Sequence, residues 1–389
     1  MRKDFLPFAK PSIAEDAIAD VTESMRSGWV AMGPKTLLFE ENFAKYTGAS
    51  KALSLNSATA GLHTSLMALG IGPGDEVITT PMTFASTVNA IIFVGAKPVL
   101  ADIDRDTLNI VPENIESLVT SATKAVIPVH FAGMPCDMDK IEAIADKHGL
   151  AVIEDAAHAL GASYKGRKIG SDRGRRRMSV FSFHPTKNIT TGEGGMICTA
   201  DDEVAERVMM LRQNGMSKGA WNRYAAKGDT NYDIFFPGLK YTMTDIQAAI
   251  GNSQLKQVDD FNDRRREIAA FYDRELADVK GLILPCPASY EHVNSRHIYT
   301  PFVDIDTIGF SRNEFMARMK ERNIGTALHY QAIHLFTCYG DITGLGRGAL
   351  PEAEYVSDRI VSLPLFPAMT DEDMNDVIAA VREVCGGAR

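Results

Sequence analysis

A chain of 389 residues that is 45% hydrophobic and 23% charged has the composition of a globular protein and the length for roughly two or three domains. Its formal net charge of −9 withholds the basic footprint that binding along a nucleic-acid backbone requires. Five scattered cysteines with no CxxC pair count against a disulfide framework and a metal site and fit the cytoplasm; no signal peptide and no membrane span of about 18 apolar residues are expected.

In chain order, short β-rich runs fall at Lys51–Leu55, Glu76–Thr80, Pro98–Asp102, Ala125–Val129, Ala151–Glu154, Ser179–Phe183 and Met196–Thr199. Helical patterns lie between several of them, at Ala58–Leu69, Ser86–Phe93, Pro112–Val119 and Met138–Lys147. Strands joined by helix-length crossovers predict an α/β fold, a mostly parallel sheet between helices, with ligands at the carboxyl ends of the strands. A helical stretch from Thr244 to Leu276 opens on Thr244 and Asp245 as a cap. Beyond it come a short strand, Tyr299–Val303, and helices at Ser311–Arg322 and Asp371–Val384. The division read from this pattern is a large domain over residues 1–250 and a smaller α+β domain over 251–389, packed together without a Gly/Ser linker.

Four segments carry candidate chemistry, each at a predicted strand end. In Phe181–Gly195 (FSFHPTKNITTGEGG) an apolar strand runs into a polar loop with one lysine, Lys187. Desolvation lowers a lysine's pKa, which a Schiff-base amine needs; the plain alternative is a surface lysine on a glycine-rich turn. In Ala151–His158 (AVIEDAAH) the strand ends at Asp155, a carboxylate able to keep a pyridine nitrogen protonated, or simply to cap a turn. His158, three residues on, is placed to stack on a ring or bond its phenolic oxygen, or else is a packed core histidine. In Leu53–Gly61 (LSLNSATAG) a strand, a small-residue turn and a helix start put Ser57, Ala58 and Thr59 where free N–H groups hold a phosphate; the alternative is an ordinary cap. Phe84 follows another apolar strand, to stack on a flat cofactor or to fill core. A lysine, an acid, a phosphate cradle and an aromatic together match the needs of pyridoxal 5′-phosphate.

Two of these segments, EDAAHALGASYKGRKIG and FSFHPTKNITTGEGG, resemble the DegT/StrS family of nucleotide-sugar aminotransferases. The resemblance extends over nearly the whole chain, through SGWVAMGP, NSATAGLHTSLMALGIGPGDEVITTPMTFASTVNAI, AVIPVHFAGMPCDMD, LKYTMTDIQAAIG and SLPLFPAMT. It implies the pyridoxal-phosphate transferase fold of type I, with a seven-stranded sheet. It makes Lys187 the Schiff-base lysine and Asp155 the partner of the pyridine nitrogen. It gives Ser182, Ala58 and Thr59 to the phosphate, Phe84 to the ring face and His158 to the ring oxygen. Lys240 matches a residue that reaches the phosphate from a neighbouring subunit, implying a homodimer with shared sites. His329 and His334 match a segment near the sugar nucleotide. The implied reaction moves an amino group from L-glutamate to a keto-sugar nucleotide by a ping-pong route, at carbon 4 of a UDP-linked pentose or 6-deoxyhexose. The similar branch serves lipid A modification in lipopolysaccharide. A 3-keto acceptor is the alternative.

The chain departs from the family at Thr242, where relatives carry Arg or Asn, and in Ser171–Ser179 (SDRGRRRMS), which is longer and more basic. Four arginines there suit a nucleotide diphosphate, or form a solvated loop. Some relatives are dehydratases with histidine in place of the lysine, and others are sensors; Lys187 and Asp155 weigh against both. The absence of a phased GxGxxG argues against a dehydrogenase.

Overall fold

The computed structural model describes residues 2–216 and 233–386. In chain order the first elements are α1 (Glu15–Ser27), α2 (Pro34–Thr47), β1 (Lys51–Leu55), α3 (Ala58–Ala68), β2 (Glu76–Thr79), α4 (Ala85–Phe93), β3 (Lys97–Leu100), α5 (Pro112–Ser117), β4 (Thr123–Ile127), α6 (Met138–His148) and β5 (Ala151–Asp155). The strand pair β6 (Ser163–Tyr164) and β7 (Arg167–Lys168) follows, then β8 (Arg177–Ser182), β9 (Gly195–Thr199), α7 (Asp202–Leu211), α8 (Asp245–Lys256) and α9 (Val258–Glu275). The C-terminal part holds β10 (Leu282–Ile283), β11 (His292–Val293), β12 (Phe302–Val303), α10 (Ile305–Ile308), α11 (Arg312–Glu321), α12 (Thr337–Thr343), α13 (Pro351–Arg359) and α14 (Asp371–Gly386).

Seven strands form one sheet in the order β1-β9-β8-β5-β4-β2-β3. The pairs among β8, β5, β4, β2 and β3 are parallel, and β9 runs antiparallel to both of its neighbours, β1 and β8. The strands read as unbroken apolar runs because helices cover both faces. Val152, Ile153, Val180 and Ile197 are fully buried, and each such side chain contributes about 1.5–3 kcal/mol.

Two helices that the sequence pattern did not single out, α1 and α2, pack along α8. The cap at Thr244 is a capping box with Gln247. Asp245 turns away from its own helix and accepts from the N–H groups of Gly33, Lys35 and Thr36 at 2.7, 3.1 and 2.9 Å, closing the start of α2. The long helix expected from Thr244 to Leu276 is two, divided at Gln257. A separate apolar cluster joins Ile268, Tyr272, Phe315, Leu363 and Val381 with Leu6, whose N–H donates to the Asn323 carbonyl at 2.8 Å. The first residues therefore pack among the last elements.

Candidate active site

The site lies at the carboxyl edge of the sheet, where β5 and β8 end side by side and α3 begins. Strand β5 delivers Asp155, which is 6% exposed. Its own N–H donates to the Pro128 carbonyl at 2.9 Å and its carbonyl accepts from His130 at 3.1 Å, so its backbone is fixed. One carboxylate oxygen accepts from the Thr87 hydroxyl at 2.7 Å, the other from the Ala157 N–H at 3.1 Å. Burial pushes this carboxyl above the usual range, while Thr87, Ala157 and the Lys187 charge pull it back.

Strand β8 ends at Ser182, and Lys187 follows in a loop held at several points. The Lys187 N–H donates to the His184 carbonyl at 2.8 Å, and its own carbonyl accepts from the Arg265 guanidinium at 3.4 Å. Next to it, Asn188 donates to Asn262 at 2.7 Å and to the Ser295 carbonyl at 3.1 Å. Removal of the amine from water lowers its pKa to about 8, against the opposing pull of Asp155. A lysine poised there holds a useful fraction of free amine near neutrality.

The start of α3 comes beside these groups through strand register. Gly195 pairs with Leu55 on one side and Ser182 on the other. A Cβ at Gly195 would stand 2.5 Å from the Ser57 carbonyl and 2.6 Å from the Ala58 nitrogen, so only glycine lets the strand approach the turn this closely. Ser57 caps α3 by accepting from the Ala60 N–H at 3.1 Å, which leaves the N–H groups of Ala58 and Thr59 to an outside acceptor. The Thr59 and Ser86 hydroxyls meet at 2.7 Å.

These groups line one cavity of about 490 Å³, together with Phe84, His158, His329 and Tyr330. The Phe84 ring, 61% exposed, lies 6.1 Å from that of Tyr330. His158 accepts from the Ala132 N–H at its Nδ1, 3.2 Å, and its Nε2 meets the Tyr330 hydroxyl at 2.9 Å. Burial lowers the His158 pKa well below the ordinary histidine value, with Lys187 and His329 adding to the shift. Burial, then Lys187, brings that of His329 to about 3; its Nδ1 lies 2.8 Å from the Ser362 hydroxyl.

Of the residues singled out from the sequence, Lys187, Asp155, His158, Ser182, Ser57, Ala58, Thr59, Phe84 and His329 border this one space. His334 does not: it is buried against Glu354, Nε2 to Oε1 3.1 Å, and borders a different cavity. Lys240 is exposed, bridged to Gln213 and absent from the cavity wall of its own chain. The basic loop is also elsewhere. It enters β8 at the end opposite Ser182, and its arginines are taken by their own chain: Arg173 by Glu142 at 3.0 Å, Arg175 by Glu203 at 3.1 Å, Arg176 by the Gly149 carbonyl at 3.1 Å and Arg177 by Asp146. None of these four arginines lines the cavity that holds Lys187 and Asp155. Sequence reasoning missed Thr87 and Tyr330. Thr87 stands three residues after Phe84 on the first turn of α4, a spacing that puts both at one helix edge.

The donor set fits pyridoxal phosphate. A lysine amine with lowered pKa, a buried carboxylate, a helix start with N–H groups left over and an aromatic ring suit the aldehyde, nitrogen, phosphate and ring face of that group in one cavity of adequate size. Among the described residues, no cluster of His, Cys, Asp and Glu suits a metal, and no helix is long and apolar enough to cross a membrane.

Comparison with known proteins gives the same answer. Residues 11–382 match the model of the DegT/DnrJ/EryC1/StrS aminotransferase family. The spore coat polysaccharide biosynthesis protein SpsC of Bacillus subtilis is 48% identical over 391 residues, covering 100% of this chain and 99% of that one. A sugar aminotransferase assigned as Spr1654 from Streptococcus pneumoniae, solved in its PLP form, is 32% identical with a TM-score of 0.90, over 99% of this chain and 100% of that one. Its PMP form superposes with a TM-score of 0.91 at 33% identity over the same shares. Helicobacter pylori PseC, an aminotransferase in the biosynthesis of pseudoaminic acid, is 29% identical with a TM-score of 0.90, over 99% and 100% of the two chains.

Proposed function

Because the chain belongs to the DegT/DnrJ/EryC1/StrS aminotransferase family and is a pyridoxal-phosphate enzyme of fold type I, we propose that it transfers the amino group of L-glutamate to a keto-sugar nucleotide. The observation that carries this reading is the meeting of Lys187, Asp155 and the free start of α3 at one cavity. The named roles of SpsC and PseC support a sugar acceptor. A 4-keto UDP-sugar is the acceptor we favour, with the product entering a surface glycan; lipid A is one such destination, and the likeness to SpsC favours a polysaccharide. The five unpaired cysteines support work in the cytoplasm.

Bound pyridoxal phosphate supplies an aldehyde that condenses with amines and a protonated ring that draws electrons from the carbon being deprotonated. Asp155 holds the proton on the ring nitrogen. The N–H groups of Ala58 and Thr59 and the Ser182 hydroxyl bind the phosphate, whose charge the start of α3 favours. Phe84, in the cavity wall, would stack on one ring face. Lys187 would anchor the group through its aldehyde and, when free, would move the proton between the donor's α-carbon and the cofactor's C4′ carbon. The same lysine runs the steps backward on the acceptor, so the kinetics are ping-pong. A second copy of the chain closes the site, its Lys240 reaching the phosphate.

The test is a panel of 4-keto and 3-keto sugar nucleotides incubated with glutamate and read by mass spectrometry. An aminated 4-keto sugar together with 2-oxoglutarate is the expected result. A 3-amino product alone moves the ring position, and no product from any sugar removes the reading.

A further inference from the structure

We propose that Tyr330 is a catalytic residue of this site: its phenol, held by His158, donates a hydrogen bond to the ring oxygen of the bound cofactor. Nothing in the family pattern as read from the sequence gave Tyr330 a role, and the ring oxygen had been allotted to His158.

The contacts of His158 fix its tautomer. Its Nδ1 accepts from a main-chain N–H, that of Ala132, at 3.2 Å. An imidazole nitrogen that accepts carries no proton, so the neutral ring has its proton on Nε2. Nε2 is 2.9 Å from the Tyr330 hydroxyl, and it therefore donates to the phenol oxygen. The lock is firm. The Ser295 hydroxyl donates to the His158 carbonyl at 2.8 Å, and the His297 N–H holds the Ala132 carbonyl at 3.1 Å. Both ring nitrogens of His158 are spent inside the protein.

Tyr330 is left with its own proton. Among the described residues, its hydroxyl has no hydrogen-bond partner besides His158. Burial and the nearby Asp155 raise its pKa, so the phenol stays protonated and remains a donor. A buried O–H without an acceptor costs free energy until one arrives. Tyr330 lines the cavity, and its ring lies 6.1 Å from that of Phe84.

The cofactor's own geometry says which oxygen is offered. Its nitrogen is claimed by Asp155, its aldehyde carbon by Lys187 and its phosphate by the start of α3. The ring hydroxyl sits on the edge between the nitrogen and the aldehyde carbon. The His158 and Tyr330 pair feels both of those anchors: Asp155 raises the phenol and Lys187 lowers the imidazole. His158 is thus a positioning residue, and Tyr330 makes the contact.

A donor at the ring oxygen spreads its negative charge and lowers the proton affinity of the adjacent imine nitrogen. The charged and titratable groups facing this pair are Asp155, Lys187, His297 and His329. All four are kept unchanged in the test. The proposal rests on the anchoring of pyridoxal phosphate at Lys187. The experiment is a pH titration of the visible absorbance of the holoenzyme and of its Tyr330→Phe and His158→Leu variants, with thermal melting of each apoprotein. Tyr330→Phe is expected to raise the absorbance midpoint by about one pH unit, a tenfold gain in proton affinity. It should lower the melting temperature of the apoprotein modestly, since the buried His158 Nε2–H loses its acceptor. His158→Leu should shift the midpoint less, in the same direction, and add nothing to Tyr330→Phe in the double variant. Incorporation of 3-fluorotyrosine, a stronger donor of the same shape, at position 330 should lower the midpoint. An unmoved midpoint in both Tyr330 variants overturns the proposal, as does a full shift in His158→Leu that persists with Tyr330 intact. Absence of any titrating band in the unaltered holoenzyme, by contrast, overturns the anchoring at Lys187.

Discussion

The Thr87 hydroxyl donates to Asp155 at 2.7 Å, from the first turn of α4 to the last residue of β5. It opposes the upward push that burial exerts on this carboxyl. Asp155 has to be ionised to hold a proton on the ring nitrogen, so activity falls as pH drops through its pKa. Loss of the hydroxyl in Thr87→Val raises that pKa further. The acid limb of kcat/KM against pH should move up by about one unit, the equivalent of a hydrogen bond of ~1.4 kcal/mol. An acid limb that stays in place means Thr87 has no part in tuning the acid.

Asp155→Asn keeps the shape and most of the hydrogen bonds of the site but removes the charge. Turnover should fall by about 100-fold or more, roughly 2.7 kcal/mol of barrier, while the cofactor still binds. Steady-state rates with glutamate, beside a cofactor-binding titration, separate the two effects. Near-normal turnover would locate the acid elsewhere.

Lys187 has its pKa lowered to about 8 by desolvation. Only the neutral amine attacks an aldehyde, so the rate at which apoprotein captures pyridoxal phosphate should rise with pH through about 8 and then level off. Stopped-flow absorbance measures it. A rise continuing beyond pH 10 would show a lysine in open water, and the proposed anchor would fail. Borohydride should fix the cofactor to Lys187 in the unaltered protein and to nothing in Lys187→Ala.

Gly195 tests the phosphate cradle without touching a polar group. A Cβ there meets the Ser57 and Ala58 backbone at 2.5–2.6 Å, and no side chain can yield to relieve it. Overpacking of this kind costs about 1–3 kcal/mol, and here the turn before α3 has to take the displacement. Gly195→Ala should weaken cofactor affinity by about tenfold or more. Fluorescence titration of the apoprotein reads it, and an unchanged Kd removes the cradle from the binding site.

Much of this site could be read from the chain because its parts are local. Asp155 closes an apolar strand, Ser57 precedes a helix, and Lys187 sits in a polar loop after another strand, so pattern alone put each at the sheet's carboxyl edge. Contacts across the fold carried no such mark. Thr87 meets Asp155 over 68 positions and Tyr330 meets His158 over 172, distances at which periodicity says nothing. Asp245 read as part of its own helix cap, because a sequence cannot show that the N–H groups of Gly33, Lys35 and Thr36 arrive there from α2. Resemblance alone gave His334 to the sugar nucleotide, and in the fold the turn that follows Tyr330 sets it against Glu354.

The basic loop supplies the last prediction. Arg175 is exposed, its side chain 76% accessible and paired with Glu203, itself 82% accessible. Pairs of this kind contribute about 0–1 kcal/mol. Arg173 is different: its side chain is 3% accessible and lies between Glu142 at 3.0 Å and Glu154 at 4.0 Å. Its removal strands Glu154, 2% accessible, beside its remaining partners His130 and Ser179. Arg173→Ala should therefore destabilise the fold by about 3 kcal/mol, the order expected when one side of a buried ion pair is lost. Arg175→Ala should leave stability unchanged. Neither should alter KM for a sugar nucleotide, since both arginines stand at the end of β8 remote from Ser182. Denaturant melts and steady-state kinetics on the two variants decide it. A raised KM in Arg175→Ala with normal stability would return the loop to the substrate and reverse the assignment made from its contacts.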